Sequence, residues 1–375
     1  MIKIAIMPNN FKEHLSAHEI CELISHGLKK GCKKNLKITQ IPFADGGLGT
    51  AEIIAQNIMA KKYNIFTCDP LMRKIKTHYY YNSQKNIGVF DMAATAGIHL
   101  LKEKEKNPQK TSTYGVGEII NELISKGAKK IIIGLGDSAT NDGGIGMAEA
   151  LGYKFFDRYG NVLPKGRFDH RKIKKIIKPK LEPVRVIGLC DGTVPLVGHN
   201  GISMVATEQK GGTGKMSYIL EKEMIYLNKI YKNIFNYDFR NKKMFGCAGG
   251  LAAGLKAIFN AKMLFGAEFI INEYGFFKII SKQDMIIVGE GQLDLKTVKG
   301  KSPYFISKLA KKYNIPSVFF SGQLGPGFEK IYSYGVILIL TTDPLLLPFH
   351  KVKKGGLGRK YIIQKAIELG RILNI

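Results

Sequence analysis

The sequence has 375 residues, of which 45% are hydrophobic, and a formal net charge of +27. This length predicts two domains, because a single hydrophobic core rarely extends beyond about 250–300 residues. No run approaches the roughly twenty consecutive apolar residues of a membrane span, which excludes a membrane protein. The five cysteines are scattered without a CxxC pair, so the sequence indicates neither a disulfide framework nor a zinc site, and the cytoplasm is favoured. They are Cys21, Cys32, Cys68, Cys190 and Cys247.

The positive charge raises the alternative of a nucleic-acid-binding protein. The excess is nearly all lysine, whereas arginine, the side chain that contacts phosphates and base edges in a bidentate way, occurs only eight times. The lysines are spread along the chain, with local clusters at 171–180 and 351–354. An anionic small substrate would also be attracted by this charge, and we expect such a substrate rather than nucleic acid.

The N-terminal part of the chain predicts alternating strands and helices. Residues 2–7 form a predicted strand, and a helix follows from Ser16, whose hydroxyl and Glu19 match the capping-box pattern. Residues 36–43 predict a second strand, followed by a glycine-rich turn at 44–50 and a further helix. This βαβα order predicts a parallel sheet.

The next segment has a different character. Residues 63–69, 77–82 and 87–93 predict short strands with turns between them, which favours antiparallel pairing. A helix is predicted over 111–126. The run 130–133 is apolar and β-branched, as is typical of a strand buried on both faces of a parallel sheet.

The stretch 134–146, GLGDSATNDGGIG, follows that strand and leads into a helical pattern. Its glycines allow a close approach of the backbone, and its hydroxyl, amide and carboxylate groups supply donors and acceptors where open α/β sheets bind ligands. We expect ligand contact for the loop as a whole. The alternative is a tight connection in which Asp142 is the N-cap of the helix.

The second half of the chain returns to buried strands and helices, after a charged and poorly patterned segment at 153–182. Further strands are predicted at 184–190, 285–288, 317–320 and 336–340. Further helices are predicted at 217–235, 246–254, 303–313 and about 358–373.

The doubly wound pattern occurs at both ends of the chain, with mixed strands between them. We therefore expect an α/β fold in which a second, mixed α/β domain, residues 62–279, is inserted into a flavodoxin- or Rossmann-like doubly wound domain, residues 1–61 and 280–375. The active-site cleft is expected between the two domains.

One feature recurs in four loops, at 44–50, 134–146, 190–201 and 289–301, where a buried strand ends in an acid flanked by glycines or hydroxyls. Acids, lysines and glycine loops suit Mg²⁺-assisted phosphoryl transfer, because carboxylates hold the hydrated cation while lysines and backbone N–H groups neutralise phosphate oxygens. Any one of these acids alone is more typical of a cap or a turn. The residues expected to converge are Asp45, Asp137 or Asp142, Asp191, Glu290 and Asp294, with Lys12, Lys210, Lys296 and Lys301.

Other phosphate-binding and nucleophile motifs are excluded. The Gly-Lys pairs at 214–215 and 300–301 lack the first glycine of a Walker A loop, and no GxGxxG follows the first strand. Cys190 ends a predicted strand beside Asp191, but no partner for a nucleophile is found, and a buried core thiol is the preferred interpretation.

Nine segments resemble the type I glycerate kinase family in order, spacing and overall length. The most distinctive contain SATNDGG, within 134–146, and GEGxLD, within 289–303. The others are PNNFKEHLSA (8–17), ADGGLGT (44–50), MAATAGI (92–98), TSTYGVGE (111–118), CDGTVPLVGHNG (190–201), EQKGGT (208–213) and CAGGLAAGL (247–255). The resemblance implies a two-domain α/β enzyme that phosphorylates D-glycerate with ATP and Mg²⁺, in bacterial members usually to 2-phosphoglycerate.

The chain departs from the family pattern at several positions. Asn9 and Asn10 stand where Asp-Ser is usual, Leu48 replaces an acid, and Gln292 replaces an arginine. The other departures are Asp137 in place of a glycine, Gly192, Val194 and Lys296. They leave two alternatives: a weakened or inactive member that binds nucleotide or a hydroxy acid, and a kinase for a different small hydroxy acid.

The resemblance also implies catalytic residues. We assign Asp191 to orienting the attacking hydroxyl. Lys12 and Lys301 are assigned to neutralising phosphate or the glycerate carboxylate, and Asp45 completes the catalytic group.

Further residues are assigned to binding. Glu290 and Asp294 are expected to hold Mg²⁺, directly or through water. The residues expected to bind substrate or nucleotide are Ser138, Thr140, Asn141, Asp142, Gly143, Lys210, Gly289 and Gly291. The expected partner is D-glycerate, not nucleic acid or a membrane, and a homodimer is left open.

Overall fold

The computed structural model describes residues 1–11, 15–342 and 357–375, apart from the side chains of Lys299 and Leu357. The strands are β1 (Ile2–Pro8), β2 (Leu36–Gln40), β3 (Lys61–Cys68), β4 (Lys74–Asn82), β5 (Ile87–Asp91), β6 (Lys130–Gly134), β7 (Lys154–Phe156), β8 (Lys175–Ile177), β9 (Arg185–Cys190), β10 (Lys262–Phe265), β11 (Met285–Leu293), β12 (Ser317–Leu324) and β13 (Val336–Thr341). The helices are α1 (Ala17–Gly31), α2 (Thr50–Ile58), α3 (Ala93–Ala96), α4 (Tyr114–Ser125), α5 (Ile145–Ala150), α6 (Ile202–Ala206), α7 (Gly214–Phe235), α8 (Leu251–Phe259), α9 (Gly266–Glu273), α10 (Phe276–Ile280), α11 (Ser302–Lys312) and α12 (Leu357–Ile372). Within these ranges no helix has both the length and the apolar character needed to cross a membrane.

The chain forms two compact units. Unit 1 comprises Met1–Asp45 and Ala267–Ile375, and unit 2 comprises Gly46–Gly266. These limits differ from the domain boundaries expected after residues 61 and 279. Helix α2 belongs to unit 2 because it contacts β4 and β5, and α10 belongs to unit 1, where it contacts α11.

In unit 1, the strands β13, β12, β11, β1 and β2 form, in that order, a sheet in which each described neighbouring pair is parallel. The parallel sheet predicted from the βαβα order is therefore confirmed. The chain order reverses between β1 and β11, since β2 lies on one side of this pair and β12 and β13 lie on the other. In open α/β sheets, ligands bind beside the carboxyl ends of the strands at such a reversal.

Strand β1 is buried on both faces, as its nearly continuous apolar composition predicts. Ile4 and Ile6 belong to a hydrophobic cluster that also contains Ile24 of α1 and Ile362 of α12. The alternate residue Ala5 is fully buried as well. The helices α1 and α12 therefore cover one face of this sheet.

Helix α1 has the N-terminus that the sequence predicts. The hydroxyl of Ser16 accepts a hydrogen bond from the N–H of Glu19, and the Glu19 carboxylate accepts one from the N–H of Ser16, which completes the capping box. At its other end α1 packs closely on α12. A methyl group added at Gly31 would collide with the carbonyl group of Ile367, so this approach requires glycine.

In unit 2, the strands β10, β9, β6, β5, β4 and β3 form, in that order, a mixed sheet. The pairs β5–β6, β6–β9 and β9–β10 are parallel, whereas β4 is antiparallel to both β3 and β5. The antiparallel pairing predicted for the segment after residue 62 is thus confirmed. A separate antiparallel pair, β7 with β8, lies in the charged segment where the pattern predicts no strand.

The prediction of a helix over 246–254 is wrong in its start. Gly249 and Gly250 adopt positive φ angles of 65° and 87°, which a right-handed helix does not contain, and α8 begins only after them. The sequence pattern also missed β10, α9 and α10, which follow α8. These short elements are too brief to show a clear hydrophobic period.

Candidate active site

The carboxyl edge of the unit 1 sheet carries the first group of predicted site residues. Pro8, at the end of β1, pairs with Gly289 within the parallel strand β11, and the N–H of Asn9 donates a hydrogen bond of 2.8 Å to the carbonyl of Gly289. Glu290 and Gly291 follow in β11. These residues therefore lie where the strand order reverses, which is the expected position of a ligand site in such a sheet.

Asp45 is buried in unit 1, with 7% of its surface exposed. Its Oδ2 accepts hydrogen bonds from Asn9 Nδ2 at 2.8 Å and from the backbone N–H of Ser302 at 2.9 Å. Burial raises the pKa of Asp45, and the hydrogen bond from Ser302 and the charge of Lys301 oppose this shift. Because Ser302 is the first residue of α11, the carboxylate also faces the positive end of that helix dipole.

Glu290 and Asp294 belong to one hydrogen-bonded network in unit 1. Lys301 Nζ lies 2.7 Å from Glu290 Oε2, and the hydroxyl of Thr297 donates to Glu290 Oε1. The N–H of Asp294 donates to the Thr297 oxygen at 3.2 Å, and the Asp294 carboxylate accepts from the N–H of Lys296 at 2.7 Å. Thr297 therefore links the carboxylate of Glu290 to the backbone of Asp294, and these two residues are the acids assigned to a metal ion.

The donor set of this network fits Mg²⁺. Carboxylate oxygens are hard ligands, and Mg²⁺ is commonly held by one or two carboxylates together with water and phosphate oxygens. In the described parts of the chain, no group of three or more His, Cys, Asp or Glu side chains is arranged to hold a metal ion. A site with two protein carboxylates, Glu290 and Asp294, is compatible with that finding. Lys12, which was assigned to the same chemistry, lies outside the described residues.

In unit 2, the loop 134–146 is joined to a buried lysine. Lys210 Nζ donates to Ser138 Oγ at 3.0 Å and to the carbonyl of Thr140 at 2.6 Å. Burial lowers the pKa of Lys210 to about 8, and the negative charges of Asp142 and Asp191 act in the opposite direction. The fold thus brings Ser138, Thr140 and Lys210 together and places Asp191 within electrostatic range of the same ammonium group.

Two buried polar atoms of this loop have no partner within the described residues. They are Thr140 Oγ1 and Asn141 Oδ1. The amide nitrogen of Asn141 donates to Ser203 Oγ at 3.0 Å, so this side chain is held on one side only. A buried polar atom without a partner costs about 1–3 kcal/mol, which makes these atoms natural contacts for a polar ligand.

Asp142 organises the loop from within. Its carboxylate accepts hydrogen bonds from the N–H and hydroxyl of Thr113, at 2.7 and 2.8 Å, and from the N–H groups of Gly144 and Gly146, at 3.0 and 3.2 Å. The N-cap position itself is Gly144, but Asp142 satisfies the free N–H groups of α5 that a cap serves. This arrangement favours the capping alternative for Asp142 over direct ligand contact.

Gly143 serves the packing of the same loop. Its N–H donates to the carbonyl of Gly249 at 2.9 Å, and its carbonyl accepts from the hydroxyl of Tyr231 at 2.5 Å. Its φ angle of 63° lies in the left-handed region, and an added methyl group would collide with Leu227. Gly143 therefore holds the loop against its neighbours.

Asp191 directly follows β9 and is partly exposed. The preceding Cys190 is fully buried. The neighbouring thiol of Cys247, together with burial, raises the pKa of Cys190 well above its usual value, so the thiol stays protonated. This favours the interpretation of Cys190 as a core thiol. Asp191 is then the side chain at the end of β9 that is available for catalysis.

Asp91 is a buried acid that is not among the site residues predicted from the sequence. It ends β5, and its carboxylate accepts hydrogen bonds of 2.9 Å from the N–H groups of Gly49 and Ala51. Burial raises its pKa to about 7, and it borders a cavity of about 150 Å³ that Tyr80 also lines. The signal was present, because an acid at the end of a buried strand is the pattern that led to Asp191.

Two departures from the family pattern lie together in unit 2. The N–H of Leu48 donates to the carboxylate of Asp137 at 3.1 Å. Asp137 has a φ angle of 55°, a conformation that favours glycine but that aspartate tolerates better than most residues. The aspartate that replaces the usual glycine therefore supplies a contact to the turn containing Leu48.

The fold and sequence are similar to those of known kinases. The sequence model described as "Glycerate kinase family" matches residues 4–356. A glycerate kinase from Halalkalibacterium halodurans is 31% identical over 360 residues, which cover 95% of this chain and 94% of that protein. A glycerate 2-kinase from Escherichia coli is 31% identical and covers 89% of each chain. A crystal structure described as glycerate kinase 2 from Salmonella typhimurium LT2 superimposes with a TM-score of 0.75 at 27% identity, and covers 100% of this chain and 98% of that one.

Proposed function

Because this chain belongs to the glycerate kinase family, we propose that it transfers the γ-phosphoryl group of ATP to D-glycerate in the presence of Mg²⁺ and that the product is 2-phosphoglycerate. The observation that carries this proposal is the network of Asp45, Glu290 and Lys301 at the reversal point of the unit 1 sheet. Acids and a lysine at such a point suit a metal-bound polyphosphate. The choice of 2-phosphoglycerate is supported by the similarity to a protein named glycerate 2-kinase.

The residues of unit 1 are assigned to the phosphate end of the reaction. Glu290 and Asp294 would hold Mg²⁺, which supplies charge neutralisation on the phosphate oxygens when it is bound. Lys301 adds a positive charge. Its ammonium group is held by the Glu290 carboxylate, which in turn accepts a hydrogen bond from Thr297. Asp45 supplies a fixed carboxylate beside Lys301, and we assign Asp45 to the catalytic group.

The residues of unit 2 are assigned to the acceptor end. Asp191 would accept a hydrogen bond from the attacking hydroxyl and orient it, as a carboxylate does in other phosphoryl-transfer enzymes. Lys210 would attract the glycerate carboxylate or a phosphate oxygen, since it stays positively charged at neutral pH with a pKa of about 8. Ser138, Thr140 and Asn141 would supply hydrogen bonds from the loop.

A coupled assay of ADP release tests the proposal. Purified protein is mixed with Mg-ATP and a panel of small hydroxy acids, and the product is identified by ³¹P and ¹³C NMR. We expect D-glycerate to be the best acceptor and the phosphate to be on its second carbon. Saturable binding without turnover would instead support an inactive binding protein, and faster turnover of another hydroxy acid would change the assigned substrate.

Location and assembly are separate parts of the proposal. All five cysteines are free thiols, which supports a reducing compartment such as the cytoplasm. We also propose a homodimer, which the sequence neither requires nor excludes. Light scattering of the purified protein would measure the oligomeric state directly.

A further inference from the structure

The Asp45 carboxylate is held at one oxygen. Oδ2 receives both donors, the side-chain amide of Asn9 at 2.8 Å and the N–H of Ser302 at 2.9 Å, and no donor to Oδ1 is found among the described residues. Two donors at fixed directions on one oxygen restrict rotation of the carboxylate about its Cβ–Cγ bond. The second oxygen is thereby presented in one orientation.

The position of the Asn9 donor is itself set by the sheet. The N–H of Asn9 is bonded to the carbonyl of Gly289 at 2.8 Å, one residue after Pro8 and Gly289 end the register of β1 and β11. The side-chain amide of Asn9 therefore starts from a backbone that both central strands hold. An amide nitrogen is a donor that stays neutral, so this contact adds no charge beside Asp45.

The Asn9 side chain is the part of this arrangement that a substitution can remove. The other donor, from Ser302, is a backbone N–H that begins α11 and persists in side-chain variants. Loss of the Asn9 donor would leave Asp45 with one hydrogen bond and freedom to rotate. Small misplacements of a catalytic group lower turnover strongly, because the reacting geometry depends on fractions of an ångström.

We propose that Asn9 is a positioning residue that fixes the orientation of the Asp45 carboxylate for phosphoryl transfer. This inference rests on the proposed function, in which Asp45 belongs to the catalytic group. Asn9 acts through Asp45 and need not touch the substrate.

The first test compares kinetic constants. In Asn9→Ala, which removes the donor, and Asn9→Leu, which removes it at similar volume, we expect kcat to fall about 10- to 100-fold while KM for glycerate changes less than about threefold. The matched control is Asn228→Ala in unit 2, where the same kind of amide donates to Asp238 at 3.1 Å. Its kcat should stay within about twofold of wild type. Wild-type kcat in both Asn9 variants would overturn the inference.

The second test asks whether Asn9 acts through Asp45. In an Asp45→Asn background, adding Asn9→Ala should lower kcat by less than about twofold, since the group that Asn9 positions is already altered. If the two substitutions instead multiply their effects, Asn9 acts independently of Asp45 and the inference is wrong. Thermal melting of each variant separates lost turnover from lost folding.

The third test does not depend on activity. Crystal structures of the wild type and Asn9→Ala should show one orientation of the Asp45 carboxylate in the former and a rotated or doubled orientation in the latter. An unchanged single orientation would contradict the positioning role. A wild-type enzyme without turnover of D-glycerate would refute the proposed function, and the crystallographic comparison would still decide whether Asn9 positions Asp45.

Discussion

Among single residues, Asp191 offers the most direct test of the proposed chemistry. Asp191→Asn keeps the shape of the side chain and removes its charge, so we expect kcat to fall by about 10²–10⁴-fold. The melting temperature should stay nearly constant, because the side chain is partly exposed at the end of β9. Steady-state kinetics and thermal melting measure the two effects. The control is Glu182→Gln, an exposed acid of the same unit, and near-normal turnover in Asp191→Asn would end the assignment.

Lys210 predicts a pH dependence of stability. Its pKa is about 8 in the folded chain, below the usual value of 10.5, because burial disfavours the charged form. Between these values the unfolded chain binds more protons, so the contribution of Lys210 to the free energy of unfolding increases as pH rises from about 8 to 10.5. Urea unfolding at about pH 8 and pH 10 should show a larger gain for the wild type than for Lys210→Met, by up to about 2 kcal/mol. Equal gains in the two proteins would contradict this prediction.

The residue contacts of the candidate site could be predicted only in part. An acid after a buried strand is visible in the sequence, and this pattern is correct for Asp191, which follows β9, but wrong for Glu290, because β11 continues through it to Leu293. The contact of Asn9 with Asp45, and that of Asp45 with Ser302, join residues far apart in the chain, and no periodicity encodes them. In the sequence, Asn9 is only a departure from the family pattern. In the structure, its side chain has a defined contact, the hydrogen bond to Asp45.

Among the elements, the pair α1 and α12 gives a test of close packing. Gly31→Ala places a methyl group against the carbonyl of Ile367, so the helices must move apart or deform. We expect the free energy of unfolding to fall by about 1–3 kcal/mol, as in other overpacked contacts. Lys30→Ala, at the exposed neighbouring position of α1, should change it by less than about 0.5 kcal/mol. Chemical denaturation measures both, and equal stability of the two variants would show that the approach is not tight.

Elements with a strong local signal were predictable, and those without one were not. The capping box of Ser16 and Glu19 and the parallel strands of unit 1 were confirmed, because a cap and an apolar run are local properties. The predicted start of α8 was wrong, because the small residues at 246–250 suit a helix and a turn equally. The positive φ angles of Gly249 and Gly250 decide for the turn. The short strands β7 and β8 form an antiparallel pair in a charged segment without alternation, so no local pattern predicts them.

For the whole molecule, the charge of +27 predicts that stability depends on salt. Repulsion between like charges destabilises a compact chain, and added salt screens it. Raising NaCl from about 20 to 200 mM should therefore increase the melting temperature by a few degrees. An equal osmolarity of sucrose controls for solvent effects that do not depend on charge. A constant or lower melting temperature in salt would show that local ion pairs outweigh the general repulsion.

The sheet of unit 1 has a consequence for biosynthesis. The inner strand β1 is translated before its partner β11, which lies at Met285–Leu293, beyond the whole of unit 2. At about 5–20 residues per second, a ribosome needs tens of seconds to produce that partner. The emerging N-terminal strands must wait through this interval with apolar side chains uncovered, while unit 2 can already mature. We therefore expect nascent chains that are stalled before residue 285 to associate with chaperones through residues 1–45.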